Sequence, residues 1–289
     1  MNKVEETRFC KRWLDVSEGA GLLMPGESVT VRVTALIDRA TAQSINTGKE
    51  RLTDMLILRV ENSFDMYTPV EVEFLRSAYG MTLEELVMAP GPVRRTLLPA
   101  HRRAGEDDAE ADRPEAQKLG IPKELWRLVD ALWNGKALLE KDLIQGTADE
   151  GEVAAIREAL DTGADFPPGC TPHAYVEALT SFLSALAKPL VAAELCPSID
   201  VDEVTNKQLC KRFLEALPPL SYNVFVYVLS FLREVLAQAA YNRSSPDRLA
   251  AVCVQSMTAA DDGREDARRA KRLNALKDLV MHLLTTSSL

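Results

Sequence analysis

Residues 119–146 read LGIPKELWRLVDALWNGKALLEKDLIQG, and they constrain the fold more than any other stretch. Pro122 stands where a first-turn proline is tolerated, because its missing N–H would be unpaired there in any case. Leu125, Leu128, Val129 and Leu132 recur at helical spacing and make one apolar face. Asn134 and Gly135 end the helix. A polar loop follows and closes on Leu143, Ile144, Gln145 and Gly146. On pattern alone this is the first helix and loop of a helical domain.

The rest of the chain from 119 to 289 continues in the same manner. Val153, Ile156 and Leu160 predict a short helix ending near Gly163. Thr171-Pro172 reads as an N-cap with a first-turn proline, followed by Tyr175, Leu179, Phe182, Leu183 and Leu186 on one face up to Pro189. Leu209, Phe213 and Leu217 mark the next helix. Pro218-Pro219 separates it from a long one expected to be capped by Ser221 and carrying Val224, Phe225, Val228, Leu229, Leu232 and Leu236. Ser245-Pro246 starts another with Leu249, Val252 and Cys253, and Leu273, Leu276, Val280 and Leu283 line the last. About seven helices make a complete small all-α domain.

Residues 1–87 carry a different period. Val29, Val31, Val33, Ala35 and Ile37 alternate with Thr30, Arg32, Thr34 and Leu36, as a half-buried strand does. Met55 to Val60 reads as a second strand, and Val70, Val72 and Phe74 as a third, with turn signals at Pro25-Gly26-Glu27 and at Asn46 to Lys49. Short strands between turns predict a β-sandwich. Asp54, Glu61 and Asp65 are acidic but form no partner pattern. Between the two regions, residues 88–118 combine Pro90, Pro92 and Pro99 with a basic block (Arg94, Arg95, Arg102, Arg103) and an acidic one (Glu106, Asp107, Asp108, Glu110, Asp112). So few large apolar residues cannot offset the entropy of ordering, and a disordered linker is expected.

Several function classes drop out. A net charge of −9 gives no basic footprint for nucleic acid. No run of about 18 apolar residues predicts a membrane span, and the N-terminus lacks a signal-peptide core. The five cysteines have no CxxC pair, so free thiols in a cytoplasmic chain are expected. Cys170 and His173 are three apart, but one Cys and one His without further ligands make neither a metal site nor a nucleophile pair. His101 and His282 lie apart from them. Neither a glycine-rich phosphate loop nor an HExxH motif is present, and no cofactor or metal is expected.

Two resemblances add to this reading. Helix, loop and the word DLIQG resemble the opening of a RhoGAP domain, the module that binds Rho-family GTPases. In active members the loop carries Gly-(Ile/Leu)-Phe-Arg, and its arginine stabilises the phosphoryl transition state. Gln145 stands at that position, and a neutral amide cannot supply a delocalised cation. The word from Glu177 to Leu195 resembles the family's next helix, with Thr180 where active members have lysine and Ser184 where they have arginine. Ala187-Lys188 replaces Pro-Glu. Leu217 to Leu236 matches a further word with Asn223 retained, and Arg248-Leu249-Ala250 stands for Asn-Leu-Ala. The apolar skeleton is kept while Gln145, Thr180, Ser184 and Arg248 depart.

The strings Cys10 to Leu14, Gly21 to Glu27, Leu52 to Leu58 and Tyr79 to Leu86 resemble the ASH module, an immunoglobulin-like domain that precedes a RhoGAP-like domain in Lowe-syndrome-type (OCRL-like) inositol polyphosphate 5-phosphatases. Those relatives also carry glutamine at the finger position. They have more β sequence before the Trp13 word, so an incomplete sandwich is expected here, from a truncated reading frame or a longer parent carrying the phosphatase domain. The resemblance implies an ASH module over 1–87, a linker over 88–118 and a RhoGAP-like all-α domain over 119–289. It implies a non-catalytic module that binds small GTPases of Rho/Rac and Rab type and adaptor peptides, the latter as an amphipathic helix. Membrane association, endosomal or Golgi, would come only through partners. Gln145, Thr180, Ser184, Asn223 and Arg248 are the GTPase-binding candidates. Tyr79 is the Rab-binding candidate, with a core aromatic closing the sandwich as the other reading. The alternative function is an active GTPase activator using Arg127, Arg157 or another arginine in place of the finger.

Overall fold

The computed structural model describes residues 11–17, 19–46, 48–95, 119–134, 136–196, 206–258 and 267–286. Cys10, Pro99, Arg102, Arg103, His101 and the acidic block of the expected linker lie outside the described residues. The chain divides into two compact units, residues 1–76 and 77–289.

In the first unit β1 (Leu14–Val16) pairs antiparallel with β2 (Val33–Ala35), and β3 (Thr53–Leu58) with β4 (Met66–Glu71). Helix α1 (Arg39–Asn46) lies between β2 and β3 in sequence. Trp13, Leu14 and Leu52 are buried, and Ile37, Ile45, Leu56, Val70, Val72 and Phe74 pack against them, so both small sheets share one core. The long strand expected at Val29–Ile37 shortens to Val33–Ala35. Val29, Val31 and Val33 are exposed, because no second layer covers that face among the described residues. The third strand falls at Met66–Glu71 rather than Val70–Phe74, set by the register Met55↔Pro69 and Ile57↔Tyr67. Helix α1 was not legible as a helix from sequence.

The second unit is helical: α2 (Leu83–Met88), α3 (Lys123–Asn134), α4 (Glu150–Thr162), α5 (Pro172–Ser184), α6 (Asn206–Ala216), α7 (Pro219–Ala237), the short α8 (Ala239–Asn242), α9 (Pro246–Met257) and α10 (Ala267–Thr285). The expected caps form at Thr171, whose side chain accepts from the Ala174 amide, and at Ser245, which accepts from that of Arg248. Helix α7 starts at Pro219 with Pro218 as N-cap, two residues before the expected Ser221, since the fixed proline φ suits a first turn. Against the expectation from sequence, α7 is long and apolar enough to cross a membrane, with mean hydropathy 1.3. Val224, Phe225, Val228, Leu229, Phe231, Leu232 and Val235 are nevertheless buried among the other helices, which makes it a core helix here.

The expected boundary at 87 moves to 76/77. Ala78, Tyr79, Met81, Leu83, Leu86 and Val93 are buried in the helical core. Polar bonds fix the same segment. The Ala78 amide donates to Asp161 Oδ1 at 2.8 Å, the Gly80 amide to the Ala185 carbonyl and the Ala187 amide to the Met81 carbonyl, each at 2.9 Å. The Arg94 amide donates to the Asp161 carbonyl, its guanidinium pairs with Glu158, and it lies 3.9 Å from Asp161 Oδ2. Gly163 ends α4 at φ +74, and Pro92 lies against it so closely that a Cβ would meet Pro92 Cγ at 2.2 Å. Residues 88–95, expected as linker, are thus part of this unit.

Candidate functional site

The loop that carries Gln145 is built from its neighbours. After α3, a 3-10 turn (Ala137–Leu139) is held by Asn242, fully buried, whose Nδ2 donates to the carbonyls of Leu138 at 2.9 Å and Val235 at 2.7 Å. Leu143 then plugs the core. Asp142 adopts φ +54, the left-handed region that glycine enters freely, at the position where active RhoGAP members carry the glycine of their finger word. Its carbonyl accepts from the amides of both Gln145 and Gly146 at 2.8 Å. This closes a tight turn that leaves Gln145 exposed. Arg243 Nη1 lies 3.9 Å from Asp142 Oδ2 at the surface.

Helix α5 presents the next candidates. His173, Thr180 and Ser184 are spaced by seven and four residues, so they fall on one stripe of the helix. At 1.5 Å per residue Thr180 stands about 10 Å along the axis from His173. The Gly146 backbone lies directly on the His173 ring. The Gln145 loop therefore sits at the head of the stripe that carries Thr180 and Ser184. Both hydroxyls bond back to their own helix: Thr180 Oγ1 to the carbonyls of Val176 and Glu177 at 3.1 Å, and Ser184 Oγ to those of Thr180 at 2.9 Å and Ser181 at 3.1 Å. Glu177, exposed, adds a negative charge beside the stripe.

The other candidates sit elsewhere. Asn223, on α7, donates from Nδ2 to the Leu119 carbonyl at 2.8 Å and anchors the entry to α3. Arg248 is exposed in the first turn of α9, a helix that packs on α5. Tyr79 is not at a surface. It is 7% exposed, meets Phe182 edge-to-face at 5.6 Å, and its hydroxyl donates to the Ala178 carbonyl at 3.3 Å. Burial pushes its phenol up to about 12. The core aromatic belongs to the helical unit, not to the sandwich.

The two replacement arginines are both engaged. Arg127 donates from Nη1 to the Ala159 carbonyl at 2.9 Å and from Nη2 to that of Ala164, and its guanidinium covers Phe166 at 4.6 Å. Arg157 lies over the Tyr79 ring at 4.1 Å. Cys170, Cys196, Cys210 and Cys253 are free thiols. Burial, aided by Glu152, pushes the Cys170 thiol up, away from the thiolate a nucleophile needs. Among the described residues no group of three or more His, Cys, Asp or Glu is placed to hold a metal.

Sequence reasoning missed one surface. Trp126 stacks on Tyr227 with centroids 5.7 Å apart and planes at 12°, while Trp133, Tyr222 and Leu119 are exposed by 50%, 41% and 55%. Trp126 and Trp133 are seven apart on α3, a spacing that could have pointed to one exposed aromatic side.

Comparison with known proteins matches the two units separately. A family model described as inositol polyphosphate 5-phosphatase OCRL-like, ASH domain, matches residues 1–74, and the RhoGAP domain model matches 122–262. The mouse type II inositol 1,4,5-trisphosphate 5-phosphatase is 29% identical over 261 residues, covering 87% of this chain and 26% of the relative. The Drosophila melanogaster Rho GTPase-activating protein 68F is 23% identical over 56% of this chain and 35% of its own length. The chain thus spans about a quarter to a third of these relatives. The crystal structure of human Rho GTPase activating protein 15 superposes with a TM-score of 0.52 at 12% identity, over 72% of this chain and 89% of that one, which shows the shared fold.

Proposed function

Since this chain joins an ASH region of the OCRL-like inositol polyphosphate 5-phosphatase type to a RhoGAP domain, we propose that it docks on Rho/Rac-type GTPases through the Gln145 loop without accelerating their hydrolysis. The observation that carries this reading is the exposed Gln145 on a loop whose geometry is intact, while Arg127 and Arg157 are committed to contacts within the domain. A finger arginine is worth roughly 10³ to 10⁵ in rate because it places a cation on developing phosphoryl charge. Gln145 brings no charge. Thr180 and Ser184 add none either, and Glu177 beside them opposes phosphate. Binding draws on a wider surface and survives these losses. The alternative, an active GTPase-activating protein, would need Arg127 or Arg157 to abandon its present partners, or another arginine such as the exposed Arg243 beside the loop to take the finger's place.

The same resemblance extends the proposal to partners beyond Rho/Rac. Adaptor peptides would lie as an amphipathic helix on the aromatic side of α3, where Trp126 and Trp133 stand exposed. A Rab-type GTPase would contact residues other than Tyr79, which is in the core. In that setting the module would hold a phosphoinositide 5-phosphatase at endosomal or Golgi membranes through its partners.

Single-turnover hydrolysis by Rac- and Rho-type GTPases, with binding measured in parallel, tests the reading. Binding of the GTP-analogue form with less than about tenfold acceleration is expected. Gln145→Arg alone is expected to stay below about tenfold as well, because the α5 stripe still lacks its cations. A larger acceleration by the unmodified chain, lost on changing Arg127 or Arg157, would overturn the proposal.

A further inference from the structure

Set aside in the sequence as a metal or nucleophile partner of Cys170, His173 touches the candidate loop directly. A Cβ built on Gly146 would stand 2.1 Å from His173 Cδ2, 2.2 Å from Nε2 and 2.8 Å from Cγ. Such separations are far inside van der Waals contact, so only glycine fits against the ring as it stands. Gly146 lies outside the left-handed region, so its backbone torsion does not require glycine. The requirement comes from the ring alone.

The backbone that carries the ring is held in place. His173 occupies the first turn of α5, next to Pro172 and the cap Thr171. Thr171 is itself tied to α4: Glu152 Oε2 accepts from its amide at 2.9 Å and from its hydroxyl at 2.6 Å. His173 Nε2 is buried without a hydrogen-bond partner, as expected where a loop backbone seals a ring edge. On the loop side, the Gly146 amide shares the Asp142 carbonyl with that of Gln145. A displacement of Gly146 therefore loosens one of the two bonds on the carbonyl that closes the Gln145 turn.

We infer that His173 is the positioning residue of the Gln145 loop. Its ring locks Gly146 in place, and through the shared Asp142 carbonyl it fixes where Gln145 points. The line of constraint runs from Glu152 to Thr171 to the His173 ring, then to Gly146 and the turn. The functional half of this inference, that the lock sets how a GTPase is met, rests on the docking proposal above.

Amide hydrogen exchange on the full chain, without a partner, tests the lock. Gly146→Ala should speed exchange of amides 143–147 by about tenfold or more, because the new methyl must lift the turn off the ring. His173→Ala removes the ring that holds the loop and should speed the same amides, and with all three ring atoms gone the Gly146→Ala methyl should add less than about threefold in the double variant. Exchange at the unmodified rate in Gly146→Ala or in His173→Ala overturns the lock. Titration with a Rac-type GTPase bearing a non-hydrolysable GTP analogue reads the functional half. Weaker binding by Gly146→Ala and by His173→Ala alike supports it. Binding unchanged while the loop exchanges faster refutes it. No binding by the unmodified chain refutes the docking proposal and the functional half with it, while the exchange data still decide the lock.

Discussion

Glu124 offers a sharp test of how this helical unit balances charge against burial. It stands in the first turn of α3 and is 1% exposed, which is rare for a glutamate. Lys123 Nζ is 3.0 Å from Oε1, yet neither carboxylate oxygen has an aligned hydrogen-bond donor. Burial pushes the Glu124 carboxyl up, the Lys123 ammonium works against that, and Asp161 adds to it. The proton is therefore held more tightly in the folded chain than in the unfolded one. Glu124 is neutral in both states below about pH 4.5 and costs nothing there. As pH rises toward and through the raised folded value, ionisation penalises the fold and stability is lost. Glu124→Gln keeps the shape and removes the charge. An unsatisfied buried polar group costs about 1–3 kcal/mol and a charged one more. Lys123, whose buried Nζ lies against Oε1, offsets some of that cost, so near neutral pH the variant should be more stable by about 1–2 kcal/mol. The gain should shrink toward zero as pH falls to about 4.5. Urea unfolding followed by helical circular dichroism across this pH range measures it. A variant less stable near neutral pH, or a difference that widens toward acid, would refute the reasoning.

Two further perturbations follow from the same geometry. Asp142 holds φ +54, so Asp142→Ala should destabilise the chain by about 1 kcal/mol, whereas Asp142→Gly should be neutral or slightly stabilising; the urea midpoints of the pair read the difference. Tyr79→Ala should cost about 3–5 kcal/mol in the helical unfolding transition, because the ring packs on Phe182 inside the core, while Tyr79→Phe should cost about 1 kcal/mol for its lost hydroxyl bond.

The helical unit was largely legible in the sequence because each helix announces itself locally. Leu125, Leu128, Val129 and Leu132 fix one face by spacing alone, and Thr171-Pro172 and Ser245-Pro246 mark starts through backbone chemistry that needs no distant partner. The β unit was less legible. Alternation at Val29 to Ile37 states which residues share a face, but not whether anything covers that face, and here those valines remain exposed. The boundary was misplaced for a related reason. Residues 77–95 look like a sandwich edge and a proline-broken tail, and what ties them to the helices is long-range: Ala78 to Asp161, Arg94 to Glu158, Pro92 against Gly163. Such contacts leave no local period to read.

The same distinction explains the candidate site. Gln145, Thr180, Ser184 and Arg248 could be picked out because each replaces a residue type that the chemistry demands, so the absence is written in the letters themselves. What the letters could not show is how the loop is held. Asn223 looked like a retained contact for a partner, and it is spent on the Leu119 carbonyl. His173 was weighed beside Cys170, three residues away in sequence, while the atoms it meets belong to Gly146, on the far side of α4 in chain order. A loss of charge can be read from composition at a position, but a steric contact between two uncharged groups has no signature until the chain is folded. The loop of this chain keeps its turn, its buried Leu143 and its ring support. That set is local geometry, which residue types alone do not disclose.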